Sequence, residues 1–170
     1  MFSGKTTELI RLMRREQCAG KKTRFFKYEK DIRYSQLASS HDGITEAAIP
    51  INDMLPVFDA ILQDGVTVVG VDEGQFIANL AQVAEQLANR GVRVIVAALN
   101  TDKNRNLWRE IQELLPMCDD VITLHAICKT CKNEASWTYE TVKRDSLVNI
   151  DGAKSYEARC RKCYFNESAK

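Results

Sequence analysis

Apolar residues in the first twenty positions recur at helical spacing. Leu9, Ile10, Leu12 and Met13 stand among charges from Thr7 to Ala19, and Gly20 follows as a stop, which predicts a helix. Thr23–Tyr28 (TRFFKY) reads as a strand. Asp31–Gly43 is polar without periodicity and reads as a loop, followed by a short strand over Ala47–Ile51. Asp53 is placed to cap a helix with Met54, Leu55, Phe58, Ile61 and Leu62 on one face, Pro56 being tolerated in its first turn. Gly65–Asp72 is nearly continuous in apolar residues, the pattern of a strand buried on both faces of a parallel sheet. A helix over Phe76–Arg90 turns Leu80, Val83, Ala84 and Leu87 inward and ends at Gly91; Val92–Leu99 is a second buried strand. Leu107, Trp108, Ile111, Leu114 and Leu115 mark a further helix, and Asp120–Ile127 a further strand.

Strands and helices in alternation imply an α/β domain built on a mostly parallel sheet. After Ile127 the chain turns polar and cysteine-bearing, so residues 1–126 and 127–170 are expected to form a main domain and a small appended module. The 170 residues suffice for a real core, and 24 basic against 23 acidic residues leave a formal charge of +1. That balance gives no electrostatic footprint for nucleic acid or an anionic membrane. No apolar run approaches a membrane span, and Lys5, Glu8 and Arg11 interrupt any leader-like segment, so a soluble, intracellular chain is expected.

Three groups of residues carry chemistry. Gly4-Lys5-Thr6, just before the first helix, has the form of the end of a phosphate loop, G-x-x-x-x-G-K-[ST]. There the lysine reaches the β- and γ-phosphates and the threonine hydroxyl ligates Mg²⁺, although the tripeptide alone also fits a plain helix start with a solvated lysine. Asp72-Glu73 ends a buried strand, where adjacent carboxylates are costly unless they meet cations or have a task. Asp72 can serve Mg²⁺ beside Thr6 and Glu73 a general base; a solvent-facing strand end is the alternative. Cys128-x-x-Cys131 and Cys160-x-x-Cys163, separated by 28 residues, form two knuckles suited to one tetrahedral Zn²⁺, against redox-active or merely buried cysteines. Cys18 and Cys118 read as small core residues, His125 as a satisfied core or sheet residue rather than a ligand, and His41 as solvated in its loop, with a role near the phosphates as the alternative.

Together these residues resemble the type II thymidine kinase family. The resemblance is carried by MFSGKTTEL (1–9), KYEKDIRYS (27–35), VDEGQF (71–76), VIVAAL (94–99), CKTCKNEASWT (128–138) and DGAKSYEARCRKCYF (151–165), over nearly the whole chain. It implies a phosphate-loop (RecA-like) sheet with helices on both faces and a small zinc-binding lasso domain, the lasso running over about 132–156 and closing on the nucleoside. It implies transfer of the γ-phosphoryl of ATP to the 5′-hydroxyl of thymidine or deoxyuridine in the cytoplasm. Glu73 would be the base and Arg33 would stand near the phosphates. Ser3, Gly4, Lys5, Thr6, Thr7, Asp72 and Gln75 would hold ATP and Mg²⁺. Met1, Phe76, Leu99, Thr138 and Tyr156 would line the nucleoside site, and Cys128, Cys131, Cys160 and Cys163 would hold Zn²⁺. The family further implies a homotetramer and feedback inhibition by thymidine triphosphate, while the charge balance and the short apolar runs lead to the expectation of no nucleic-acid or membrane partner.

Several positions depart from the family pattern. The strand and first glycine of the phosphate loop are missing, so the expectation is an N-terminally truncated version of the gene product. Where the family reads Asp-Gly-Thr-Phe-x-Arg-x-Pro-Phe, this chain has Asn100 to Trp108: Arg105 is kept, Lys103 stands for a pocket aromatic, and Trp108 replaces Phe. Asp151-Gly152 stands for Gly-Gly. These changes bear on substrate preference and rate. They leave a catalytically impaired or regulatory relative, or a phosphate-loop ATPase, as the alternatives to a kinase.

Overall fold

The computed structural model describes residues 1–31, 37–39, 45–141 and 155–168. By its contacts the chain divides into two compact units. The larger holds Lys5–Asn100 and Trp108–Val121; the smaller gathers Met1–Gly4, Thr101–Leu107 and Ile122–Lys170.

The larger unit is a four-stranded parallel sheet in the order β4-β1-β5-β6, with β1 at Thr23–Tyr28, β4 at Ile49–Ile51, β5 at Val68–Asp72 and β6 at Arg93–Ala97. Pro50, which cannot donate to a ladder, sits in the edge strand β4, where its missing N–H costs least. Alternation along β5 sorts its side chains: Val68 joins the α1 (Lys5–Cys18) core with Leu9, Ile10, Met13 and Phe25, whereas Val69 and Val71 face the opposite core. That opposite core is closed by α2 (Phe58–Gln63), α3 (Leu80–Ala88) and α4 (Arg109–Leu114), through Ile61, Leu80, Val83, Leu87 and Leu114. Helices therefore flank both faces, as the alternating sequence pattern requires.

Two short strands, β2 (Leu37–Ser39) and β3 (Thr45–Ala47), pair antiparallel as a separate sheet, so part of the expected loop Asp31–Gly43 is a strand and the expected strand Ala47–Ile51 is divided between β3 and β4. The expected helix over Phe76–Arg90 is confined to Leu80–Ala88. Gly74–Phe76 forms a 3-10 turn and Asn79 takes φ 56°, a left-handed conformation that an α-helix cannot pass through. The Asp53 carboxylate accepts from the Leu55 N–H at 2.9 Å, but it does not cap an α-helix as expected: the first turn, Leu55–Val57, is 3-10 with Met54 at its N-cap, and Leu55 is exposed.

The smaller unit consists of short antiparallel pieces. β7 (Ala126–Ile127) pairs with β8 (Glu134–Ala135), and β9 (Trp137–Glu140) with β10 (Tyr156–Arg159), before the closing helix α5 (Arg161–Ser168). The strand expected over Asp120–Ile127 shrinks to its last two residues. Val121 and Ile122 are 57% exposed, so the apolar alternation there reflects no buried face. His125 is accordingly exposed rather than a sheet residue, its Nδ1 lying 3.1 Å from Ser136 Oγ. Cys18 and Cys118 are exposed, not core residues.

Candidate active site and metal centre

Strand alternation sends Asp72 to the α1 side of the sheet, the side on which Val68 already packs. There the Thr6 hydroxyl, one residue into α1, donates to the Asp72 carboxylate at 3.0 and 3.2 Å. Gly4 precedes the helix at φ +76°, a backbone that side chains rarely adopt, and so supplies the turn that aims the first helical N–H groups. Asp72 is 6% exposed. Burial first, and then the neighbouring Glu73 carboxylate, push it up to about 7, while the Thr6 hydroxyl, the Glu73 N–H and the Lys5 ammonium pull the other way. A buried, cation-hungry carboxylate beside a hydroxyl at a helix N-terminus is an oxygen-donor set that suits a hard divalent ion and phosphate.

Glu73 departs from the strand at φ 53°, which turns it away from the Thr6 side. Gln75, 4% exposed, holds it: Nε2 donates to Glu73 Oε2 at 2.7 Å, and Oε1 accepts from the Leu99 N–H just beyond β6 at 2.9 Å. The main-chain donor fixes which end of the amide is oxygen, so the nitrogen must face the carboxylate. Gly74 is required for this turn, because a Cβ there would lie 2.6 Å from Val96 Cγ1 and 2.8 Å from Leu80 Cδ2. Phe76 follows, its ring 5.1 Å from Tyr28 and 5.2 Å from Trp108 between centroids.

Lys27 escaped sequence reasoning. It is 4% exposed and pairs in register with Asp72 across the β1–β5 ladder, hence on the same side of the sheet. Its Nζ donates to the Asp31 carbonyl at 3.3 Å. The available signal was the period of β1, which puts Lys27 two residues beyond the inward Phe25. Arg33 and His41 lie outside the described residues.

In the smaller unit the Met1 nitrogen donates to Thr138 Oγ1 at 2.9 Å. Thr138 and Glu140 of β9 stand opposite Ala158 and Tyr156 of β10, so Thr138, Glu140 and Tyr156 share one face of the hairpin. The four ligand sulfurs of Cys128, Cys131, Cys160 and Cys163 lie within 4.8 Å of one another, with Cys131 and Cys160 at 3.5 Å. A tetrahedral ion with Zn–S bonds of about 2.3 Å needs sulfurs about 3.8 Å apart, so the cluster can hold a metal. Burial raises Cys128, but the N–H groups of Cys131, Cys160 and Thr130 outweigh it and bring the thiol to about 6. Cys163 is pushed up to about 12, chiefly by its hydrogen bond with Cys160 and then by burial. Four thiols this close cannot all ionise without a cation among them.

Comparison with known proteins agrees with the geometry. The model of the family described as thymidine kinase matches residues 1–164. The thymidine kinase of Rabbit fibroma virus (strain Kasza) is 40% identical over 165 residues, covering 97% of this chain and 92% of that protein. The cytosolic thymidine kinase of Homo sapiens is 40% identical over 169 residues, covering 99% of this chain and 71% of its own. That of Bos taurus is 40% identical over 171 residues, with 99% and 70% covered. With a family match across nearly its full length and relatives of this similarity, the chain belongs to the thymidine kinase family.

Proposed function

We propose that this chain transfers the γ-phosphoryl group of ATP to the 5′-hydroxyl of thymidine. The observation that supports it most directly is the division of labour between Asp72 and Glu73. Asp72 is engaged by Thr6 on the helix side, and Glu73 is turned off the strand and held by Gln75. Two adjacent carboxylates with separate partners can perform separate tasks.

In this reading Lys5 and the first N–H groups of α1 bind the β- and γ-phosphates, with Ser3 and Thr7 beside them. Thr6 and Asp72 hold Mg²⁺, which when bound neutralises charge on the phosphates. Glu73 takes the proton of the 5′-hydroxyl as the new O–P bond forms and the bond from the γ-phosphorus to the bridging oxygen of ADP breaks. Gln75 acts through Glu73, a different task from the phosphate contact implied by resemblance. The resemblance supports Phe76 and Leu99 as nucleoside contacts within the larger unit and, separately, Met1, Thr138 and Tyr156 within the smaller one. Arg33 enters on the sequence motif alone.

The cysteine cluster takes Zn²⁺, whose chemistry here is structural: four thiolates fill its coordination and leave no position for a substrate. We read the module it anchors, residues 127–170, as the lasso domain of the family. Family membership supports a cytosolic homotetramer inhibited by thymidine triphosphate, which sedimentation and inhibitor titration would check. Among the described residues no helix is long and apolar enough to cross a membrane.

Steady-state kinetics of Glu73→Gln test the assignment. The amide keeps shape and hydrogen bonding but cannot accept the proton, so kcat should fall about 10²–10⁴-fold with thymidine KM little changed. Normal turnover in this variant would remove Glu73 as the base, and ATP hydrolysis without any thymidine dependence would favour an ATPase.

A further inference from the structure

The loop 101–107 is hydrogen-bonded to itself. Asp102 Oδ1 accepts from the N–H groups of Asn104 and Asn106 at 2.8 and 2.9 Å, the Asp102 N–H donates to the Asn106 carbonyl, and Thr101 and Leu107 form a bridge at its base. This preformed loop is tied to the β9–β10 hairpin and α5 by its side chains and backbone. Lys103 Nζ donates to both oxygens of Glu140 at 3.1 and 3.0 Å. The Tyr164 hydroxyl donates to the Lys103 carbonyl at 3.2 Å. The Arg105 guanidinium lies 5.1–5.8 Å from the ring centroids of Trp137, Tyr164 and Phe165.

The ion pair differs from an ordinary surface pair. The Lys103 and Glu140 side chains are only 13% and 12% exposed, so both charges are largely withdrawn from water and screened less than a surface pair. Register adds a second fact. Glu140 stands directly opposite Tyr156 and two residues from Thr138, on their face of the hairpin, whereas Trp137 and Tyr139 occupy the other face. The tie therefore acts on the face that carries the proposed nucleoside contacts. An aromatic at position 103, as in the family pattern, would offer stacking area but no bond to Glu140.

We propose that Lys103 and Glu140 are positioning residues for the nucleoside: their ion pair fixes the 101–107 loop to the hairpin and holds Thr138 and Tyr156 in one geometry. The proposal rests on reading Thr138 and Tyr156 as nucleoside contacts. It predicts an effect on nucleoside KM that depends on the pair rather than on either charge.

The test is a double-mutant cycle on the full chain with Lys103→Met, Glu140→Gln and the swapped pair Lys103→Glu/Glu140→Lys. Each single change should raise thymidine KM roughly tenfold, with kcat and the KM for Mg·ATP within about twofold of the parent, and the swap should return thymidine KM to within about threefold. Unchanged thymidine KM in both single variants would overturn the proposal. So would a swap as impaired as the two single changes combined, because the charges would then act separately. Should Lys103→Met lose its metal, the swap decides alone: recovery of metal and KM supports the pair, and failure rejects it. Hydrogen exchange of the 101–107 and β9 amides without nucleoside reads the tie itself, faster in the single variants and restored in the swap. If exchange follows this pattern while Thr138→Val leaves thymidine KM untouched, the nucleoside reading has failed and the positioning role fails with it; if Thr138→Val raises KM and exchange is unaffected, only the ion-pair proposal is lost.

Discussion

The two units place their chemical groups against opposite backgrounds. In the larger one, hydrophobic clusters of twelve and seven buried residues flank the sheet among the described residues, and the chemistry sits at the strand ends. Its key group, Asp72, is a carboxylate that burial disfavours in charged form. In the smaller unit the buried cluster comprises Ala126, Cys128, Ala135 and Ala158, with Phe2, Cys160 and Cys163 packed against it. Its remaining order comes from ring contacts such as Trp137 with Tyr164 and Phe165, and from Arg159 and Arg161 over Tyr139 and Trp137. The functional group is a liability carried by a large core in one unit and is itself the core of the other. Changes at the two sites should therefore move stability in opposite directions.

The largest effect is expected at the cysteines. Cys160→Ser should lower bound metal from one per chain to below roughly a tenth and unfold the β9–β10 hairpin, because structural zinc supplies on the order of 10 kcal/mol to modules of this kind. Hydrogen exchange should show β9 and β10 losing protection while β5 and β6 keep theirs. Loss of protection in β5 and β6 in step with the hairpin would erase the contrast.

Asp72→Asn should act the other way, stabilising the metal-free, nucleotide-free protein while abolishing Mg²⁺-dependent turnover. The folded carboxyl titrates at about 7, against an unfolded value of about 3.9. Stability is therefore complete below the unfolded value and is lost as pH rises through 4 to 7. Asparagine escapes that loss, so its advantage should grow across this window to a few kcal/mol and level off above it. Thermal melts of both proteins from pH 4 to 8 would check this; an advantage that shrinks as pH rises would contradict the burial argument.

A smaller effect is expected at Gln75. Gln75→Leu keeps volume but removes the hydrogen bond to Glu73 and the acceptor of the Leu99 N–H, so kcat should fall about tenfold while KM for Mg·ATP stays within about twofold. A rise in the KM for Mg·ATP with kcat intact would instead return Gln75 to the phosphates.

Much of this was legible in the sequence because it is local. The apolar run of β5 declares burial on two faces, whereas that of β6 reads as equally buried although the strand lies at the sheet edge and is mostly half-buried; Leu80, Val83, Ala84 and Leu87 declare an inward helix stripe, and paired Cys-x-x-Cys declares a metal cluster. Gly4-Lys5-Thr6 and Asp72-Glu73 were recognisable from residue type at an element's end. Elements without a burial signature were misread: VITLH alternates like a strand, yet 121–125 has none of a strand's pairing, and only Ala126–Ile127 finds a ladder in β8.

The sequence by itself determined the family, the succession of most strands and helices along the chain and the residue types available for phosphate, base and metal, since each depends on short stretches of consecutive positions. Tertiary structure alone decided who meets whom. It brought Thr6 to Asp72 across 66 residues of chain, set Lys27 beside Asp72 by strand register, and bonded Gln75 to both Glu73 and the N–H of Leu99. It also joined Lys103 to Glu140, 37 positions apart. Such pairings follow from register, crossover and burial, which many sequence-distant segments set together, and no local window of residues contains them.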